Sequence, residues 1–160
     1  MVKVLGIDPG LRRTGWGVIE IPQKGQLCFA GMGVVNTSTC DTLPKRLTQI
    51  FHGIQKIITE HSPLHVAIEE TYVNTNYQTS LQLAHARAAA IVAASQLELT
   101  PICYKATVVK KAITHSGNAN KEQIFKMLKL WLKDFDDNNK HFDASDALAI
   151  CVCHARSIGL

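Results

Sequence analysis

The sequence predicts one α/β domain, residues 1–160, built on a mixed five-stranded sheet with helices on its faces. Three candidate strands follow one another at the start of the chain and are joined by short turns, which indicates an antiparallel meander. The fourth and fifth candidate strands each follow a helix, an order typical of parallel strands linked by crossovers. A chain of 160 residues is also long enough to bury a full core in one domain.

The first three strands are recognised as apolar runs bounded by turn-forming residues. Residues 2–7 are rich in Val, Leu and Ile, which predicts a buried strand. Residues 14–21 and 27–35 predict two more strands, separated by a turn that contains Pro22 and Gly25. Large and small residues alternate in the second strand, which indicates that one of its faces is crowded.

Helices and strands alternate in the rest of the chain. Apolar side chains at spacings of three and four predict a helix over residues 43–60. Residues 64–70 and 100–105 predict strands four and five, which stand on either side of an alanine-rich helix over residues 80–97. The remaining elements are a short helix, a loop, a helix over residues 121–133, an acidic turn and a last helix over residues 142–156.

The composition is that of an ordinary globular protein with a small excess of basic residues. The formal charge is +4 and the pI is about 8.8, which suits a polyanionic partner. We expect a cytoplasmic protein, because no basic segment precedes an apolar one at the start and no apolar stretch is long enough to span a bilayer. In that compartment we expect reduced, buried cysteines at Cys28, Cys40, Cys103, Cys151 and Cys153.

Four acidic residues stand in apolar surroundings, where a carboxylate is rarely found without a partner. Asp8 ends the first strand and Glu69 ends the fourth, while Asp143 and Asp146 open the last helix on one shared face. If strands one and four are parallel neighbours, Asp8 and Glu69 emerge at the carboxyl edge of the sheet, where open α/β sheets bind ligands. The last helix then has to bring only its first turn to that edge.

Such a group of carboxylates favours a divalent cation, because the negative charges otherwise repel one another. An oxygen-only ligand set selects Mg²⁺ or Mn²⁺ rather than zinc. Two such ions about 3.5–4 Å apart can activate a water and stabilise the leaving oxygen of a phosphodiester. The alternative is that each acid only caps a turn or a helix, which explains any one of them but explains all four together poorly.

Three motifs at these separations resemble the RuvC family of bacterial Holliday-junction resolvases. They are GIDPG after the first strand, AIEE at the end of the fourth, and DASDALAI near the C-terminus. The resemblance runs nearly from end to end, and it implies a ribonuclease-H-like fold and a homodimer. It further implies Mg²⁺-dependent cutting of four-way DNA junctions, with two ions per subunit and Mn²⁺ as a substitute. A branch-migration motor complex of the RuvA–RuvB type is the partner implied.

The resemblance also assigns roles to individual positions. The four acids match the catalytic acids of the family. Glu70 adjoins Glu69 and could in principle be the ligand; the two point to opposite faces of the strand, and the AIE motif aligns Glu69 with the family acid. Lys110 and Lys121 match basic residues that the family keeps near its active site, and Lys121 is expected to orient the phosphate or stabilise its charge. Tyr72 matches an aromatic residue on a DNA-contacting loop.

Basic residues favour a nucleic-acid partner independently of the resemblance. Between residues 105 and 133 the chain has seven lysines and a single acid, Glu122, and such a strip suits a phosphate backbone. A solvated helix face is the alternative for part of it. The candidate phosphate contacts are Arg12, Arg13, Lys110, Lys111 and Lys121.

Three other functions stay open. A ribonuclease-H-like nuclease acting on RNA would share the acids. A non-catalytic module would bind junctions without nicking them, and an actin-like ATPase would share the first motif but needs a longer chain. Two details also stay open: the alanine-rich helix is either a subunit interface or a core helix, and His141 lies close enough to Asp143 to assist the site.

Overall fold

The computed structural model describes residues 1–71, 77–135 and 142–160, and of residues 142 and 143 it describes the backbone only. Within these ranges the strands are β1 (Val2–Asp8), β2 (Arg13–Ile21), β3 (Leu27–Asn36), β4 (His65–Glu69), β5 (Ile102–Tyr104) and β6 (Leu132–Lys133). They form one sheet in the order β5-β4-β1-β2-β3-β6.

The centre of the sheet is β1, which joins its antiparallel and parallel halves. β1, β2 and β3 form the antiparallel meander that the sequence predicts. On its other side β1 pairs in parallel with β4, and β4 pairs in parallel with β5. Leu5 and Ile7 are fully buried on one face of β1 and Val4 on the other, which is the pattern of a strand covered on both sides. β1 and β4 therefore end at the same edge.

Helices cover both faces of the sheet. They are α1 (Leu43–His61), α2 (Tyr77–Ser95), α3 (Ala106–Thr114), α4 (Lys121–Trp131) and α5 (Phe142–Ser157). α1 and α2 share one hydrophobic core with the sheet, while α3, α4 and α5 share the other. α5 is buried all round from Ala147 to Ala155, because it lies between the sheet and the α3–α4 pair. No helix in the described ranges has the length and apolar character required to cross a membrane.

The sheet has six strands rather than the predicted five. The helix predicted over residues 121–133 ends at Trp131, and the next two residues pair with Leu27 and Cys28 of β3. Leu132 adopts extended backbone angles and buries its side chain in the core. Pairing with β3 thus overrides the helical periodicity of the local sequence, as tertiary contacts often do.

The cysteine prediction is half right. All five cysteines are free thiols, and Cys151 and Cys153 are buried on α5 as expected. Cys28 is only partly buried, and Cys40 and Cys103 are exposed, so the prediction of burial is wrong for these three. Cys103 lies on β5, an edge strand of the sheet, which among the described strands pairs with β4 alone.

The alanine-rich helix α2 has two apolar faces. Ala86, Ala90 and Ala93 are fully buried against the sheet and α1, so this face belongs to the core. On another face Leu81 and Val92 are 56% and 50% exposed. The two alternatives left by the sequence are therefore compatible, since one face packs in the core and the other remains on the surface.

A partly exposed hydrogen-bond network ties the end of α5 to β5. The Ser157 hydroxyl donates to the His154 carbonyl oxygen at 2.8 Å, so the Tyr104 hydroxyl donates to Ser157 Oγ at 2.6 Å. Because the single hydroxyl proton of Tyr104 is then used, the Tyr104 oxygen can only accept from His154, and His154 Nδ1–H donates to it at 2.8 Å. His154 Nε2 is then an unprotonated acceptor, and it has no hydrogen-bond partner in the part of the chain that the structure describes.

This network predicts that the protein loses stability in mild acid. Burial, and then the neighbouring His65, lower the pKa of His154 below its ordinary value of 6.5. Because the folded pKa is depressed, the unfolded chain takes up the proton first as the pH falls below the ordinary value. The free energy of unfolding should therefore fall between about pH 7 and pH 5 in denaturant titrations. His154→Asn, which keeps a donor for Tyr104 and cannot be protonated, should flatten that slope; equal slopes would contradict the assignment.

Candidate active site at the carboxyl edge of the sheet

The ends of β1 and β4 bring two carboxylates together. Ile7 of β1 is paired with Ile68 of β4, so Asp8 and Glu69 stand side by side one residue further on. Both acids line a cleft of about 510 Å³ at this edge. Ala67 belongs to the core on the α5 side, and Glu69, two residues later, projects to the same face. The parallel pairing on which the predicted carboxylate site depends is therefore present.

α5 contributes a third carboxylate to the cleft. Asp146, in the second turn of that helix, lines the cleft opposite the strand ends, and its side chain is 18% exposed. Asp143 lies three residues earlier on the same helix, but its side chain is outside the described residues. Three of the four acids predicted from the sequence thus meet in one place.

The α3–α4 pair forms the basic wall of the cleft and carries Lys110 and Lys121. α4 begins with a capping box in which Asn120 Oδ1 accepts the Gln123 backbone N–H, and the Gln123 side chain accepts the Asn120 N–H, both at 2.9 Å. This cap fixes Lys121 as the first residue of the helix. Lys121 Nζ lies 3.1 Å from Asp146 Oδ2, so an ammonium group meets the carboxylates directly.

Glu69 carries the clearest electrostatic signal in the cleft. Burial raises the pKa of its carboxyl above the ordinary value of 4.5, and the charge of Asp146 raises that pKa further. Lys110 and Lys121 act in the opposite direction but do not cancel the rise. The described lining residues of the cleft include three carboxylates and two lysines, so an added cation would be attracted to it.

The donor set suits a hard divalent cation. Carboxylate oxygens are the ligands of Mg²⁺ and Mn²⁺, and the lining residues that the structure describes include no sulfur or imidazole. Among the side chains that the structure describes, which exclude Asp143, no three His, Cys, Asp or Glu residues are grouped so that they could hold a metal ion. Asp8, Glu69 and Asp146 line the same cleft, with Lys121 against Asp146.

Comparison with known proteins identifies the family. A family model described as "Crossover junction endodeoxyribonuclease RuvC" matches residues 4–154. The protein of that name from Wolbachia sp. subsp. Drosophila simulans (strain wRi) is 40% identical over 99% of this chain and 97% of its own length. The chain belongs to the RuvC family. The Nitrobacter hamburgensis member is 41% identical over 99% of this chain and 91% of its own.

Solved structures extend the match to the fold. The structure titled "T. thermophilus RuvC in complex with Holliday junction substrate" superposes with a TM-score of 0.90 at 26% identity, covering 99% of this chain and 95% of that one. The yeast mitochondrial Holliday junction resolvase Ydc2 has a TM-score of 0.73 over 97% of this chain and 78% of its own, and at 14% identity it supports the fold alone. The predicted ribonuclease-H-like fold class is confirmed, apart from the sixth strand.

Several residues predicted to take part in RuvC-type function are not lining residues of the cleft. Arg12, Arg13 and Lys111 are exposed and stand outside it. The backbone N–H of Glu70 donates to the Tyr104 carbonyl oxygen at 2.8 Å, and its side chain does not line the cleft either. Tyr72 and His141 fall outside the described residues, so the predictions for them stay predictions.

The sequence analysis missed one polar residue of the cleft, Asn120, and small apolar residues beside it such as Ala106 and Ala119. Asn120 had a usable signal, because an asparagine three residues before a glutamine at the start of a helix is the pattern of a capping box. Ala106 and Ala119 had no such signal in the sequence. They matter because small side chains leave room between the lysines and the carboxylates.

Proposed function

We propose that this chain is a Mg²⁺-dependent endonuclease, a single ribonuclease-H-like nuclease domain that resolves four-way DNA junctions during recombination and repair. The observation that carries the proposal is the convergence of Asp8, Glu69 and Asp146 on one cleft whose other wall holds Lys110 and Lys121. Membership of the RuvC family supports the DNA substrate, as does the close match to a relative solved with a Holliday junction. We also propose that it acts in the cytoplasm, where bacterial DNA lies.

The proposed metal ligands are Asp8, Glu69, Asp143 and Asp146, holding two Mg²⁺ ions per subunit, for which Mn²⁺ can substitute. Bound there, such ions lower the pKa of a water and stabilise charge on the leaving oxygen of a phosphodiester. The raised pKa of Glu69 supports this assignment, because a carboxylate that is buried beside the charge of Asp146 is stabilised by a bound cation.

The lysines of the cleft are proposed to hold the substrate phosphate. Lys121 is 58% exposed at its side chain and reaches both Asp146 and the open cleft, so its ammonium can bind a phosphate oxygen beside the carboxylates. Lys110 lines the same wall. Arg12, Arg13, Lys111 and Tyr72 are proposed to contact the DNA arms outside the cleft.

We propose a homodimer, because paired symmetric nicks in a junction require two active sites related by a two-fold axis. The surface stripe on α2 supports it. Leu81, His85, Ala88 and Val92 follow one another at spacings of three and four and are all exposed. A shallow apolar groove of about 340 Å³ runs between this stripe and Leu47 and Phe51 of α1. A partnership with a branch-migration motor of the RuvA–RuvB type is proposed from family membership alone.

The dimer proposal predicts that Val92→Asp dissociates the protein, because a charge would be buried in an apolar interface. In sedimentation at low micromolar concentration the wild type should be a dimer and the variant a monomer. Leu130→Asp is the matched control, since Leu130 is 80% exposed on α4 and lies outside the groove. A dimeric Val92→Asp, or an equally dissociated control, would contradict the α2 interface.

The decisive experiment compares labelled substrates with Mg²⁺ and with EDTA. The protein should nick a synthetic four-way junction at symmetric positions only with the metal, and leave linear duplex and RNA hairpins intact. Cleavage of the RNA hairpins would favour the related RNA nuclease. Tight junction binding with no nicking under any metal condition would favour the non-catalytic module.

A further inference from the structure

α5 lies unusually close to the sheet at one pair of glycines. Gly6 of β1 pairs with Gly17 of β2, and α5 crosses directly over both. A Cβ added to Gly6 would overlap the Ala147 carbonyl oxygen and lie 2.7 Å from Cys151 Sγ. A Cβ added to Gly17 would lie 2.8 Å from the Leu148 side chain. Real Cβ atoms essentially never approach neighbours within 3.0 Å, so a side chain at Gly6 requires the backbone of α5 to move.

The buried thiol of Cys151 holds the helix to the same two strands. Its Sγ–H lies 3.2 Å from the Gly17 carbonyl oxygen and 3.5 Å from the Val4 carbonyl oxygen. Complete burial raises the pKa of this thiol far above its ordinary value, so it remains a neutral donor. The approach of helix to sheet is therefore a packed and hydrogen-bonded contact, without a gap beneath α5.

This contact lies next to the carboxylates in the chain. Ala147, whose carbonyl oxygen covers Gly6, directly follows Asp146. Gly6 precedes Asp8 by two residues on the same strand, so the two share the face that points to α5. The height of α5 over Gly6 thus sets how far Asp146 stands from the strand-end acids.

We propose that Gly6, with Gly17 opposite it, is a positioning residue of the nuclease site. By excluding a side chain, this glycine pair sets how far Asp146 stands from the Asp8–Glu69 pair, and so governs whether one cation can be shared between them. The inference rests on the proposed function, because that separation has a chemical consequence only if the carboxylates bind metal.

The consequence is large because Mg²⁺ tolerates little distortion. It requires oxygen ligands at about 2.0–2.1 Å in near-octahedral geometry. A methyl group at Gly6 needs about 1 Å more room, and a displacement of about 1 Å in a catalytic group can cost about 100-fold in rate. Asp146 would move with the helix, whereas the strand-end acids would stay in the sheet.

The test measures metal binding without DNA, beside activity. Wild type, Gly6→Ala and Gly17→Ala are titrated with Mn²⁺ by calorimetry, and junction affinity is measured in EDTA. Gly6→Ala should bind Mn²⁺ at least about 10-fold more weakly and cleave about 100-fold more slowly, with junction affinity unchanged. Gly31→Ala is the matched control: Gly31 is also a strand glycine, but its added Cβ would meet the flexible His61 ring on the opposite face of the sheet, and its Mn²⁺ affinity should equal wild type.

Cys151→Ala separates positioning from stability, because it removes a contact of α5 without inserting an atom beneath the helix. It should lower the melting temperature and keep the wild-type Mn²⁺ affinity. If Gly6→Ala does not fold, Gly17→Ala carries the test, since its added Cβ would press on α5 through the fully buried Leu148, whose backbone nitrogen would lie 3.0 Å away. Wild-type Mn²⁺ affinity in the folded glycine variants would overturn the proposal, as would an equal loss in Cys151→Ala. A wild-type protein that binds no Mn²⁺ would instead refute the proposed metal site.

Discussion

Asp8→Asn should abolish junction cleavage while the protein still folds and still binds junction DNA. Asparagine keeps the size of the side chain but loses the charge that a divalent cation requires from its ligand. Losing an outer-shell partner of a bound metal typically costs about 10- to 100-fold, so losing a direct ligand should cost at least about 100-fold in cleavage rate. Single-turnover cleavage with saturating Mg²⁺ measures the loss, and fluorescence anisotropy in EDTA measures binding.

Asp41→Asn is the matched control for the loss of one aspartate charge. The Asp41 carboxylate accepts hydrogen bonds from Lys45 at 2.7 Å and from Gln49 at 3.0 Å, and it lies outside the cleft. Its replacement should leave the cleavage rate within about twofold of wild type. If Asp8→Asn also loses junction binding at low salt, Asp8 has a structural role at the Pro9–Gly10 turn. That result would favour the capping alternative over the metal ligand.

The strands and the acids were predictable because they depend on short-range patterns. A continuous apolar run such as residues 2–7 indicates a strand buried on both faces, and a carboxylate directly after it is conspicuous. That Asp8 and Glu69 lie close together then followed from the general rule that the carboxyl ends of parallel strands meet at one edge of the sheet. The pairing of Ile7 with Ile68 confirms that step.

The missed features depend on contacts between distant parts of the chain. The strand β6 has two residues, and nothing in Leu132 or Lys133 distinguishes it from the end of a helix without β3 beside it. The exposure of Cys103 follows from the edge position of β5, which the local sequence does not encode. The alternation of large and small residues in β2 did indicate a crowded face, but not that α5 is the element pressed against Gly17.

The residues of the cleft were likewise predictable only in part. Lys110 and Lys121 were expected near the carboxyl edge and do line it, whereas Arg12 and Arg13 are close to Asp8 in sequence but stand outside the cleft. Proximity in sequence to a candidate catalytic acid is a weak guide to the cleft, because the chain leaves the edge of the sheet at the next turn. The contact of Lys121 with Asp146 depends on how α4 packs against α5, and its 3.1 Å distance had no sequence signal.

Glu69→Gln should abolish cleavage as Asp8→Asn does, and it should also stabilise the protein in EDTA. Burial and the charge of Asp146 raise the pKa of Glu69, so the folded state disfavours its carboxylate. A carboxyl group with a raised folded pKa contributes most stability at low pH, and that contribution is lost as the pH rises through the folded pKa. At about pH 7 the charged Glu69 therefore costs stability that the neutral glutamine does not.

Thermal melts test this prediction through its dependence on pH and metal. In EDTA at about pH 7 the Glu69→Gln midpoint should exceed that of wild type by about 2–4 °C, and the difference should vanish in acid where Glu69 is protonated. Mg²⁺ should raise the midpoint of wild type by binding the folded state, and raise that of the variant little. Glu70→Gln, the adjacent charge outside the cleft, should reproduce neither effect. A Glu69→Gln variant that is less stable than wild type in EDTA would contradict this prediction. It would mean that groups of the protein itself already stabilise the Glu69 carboxylate, and the electrostatic argument for a cation at the strand ends would then be wrong.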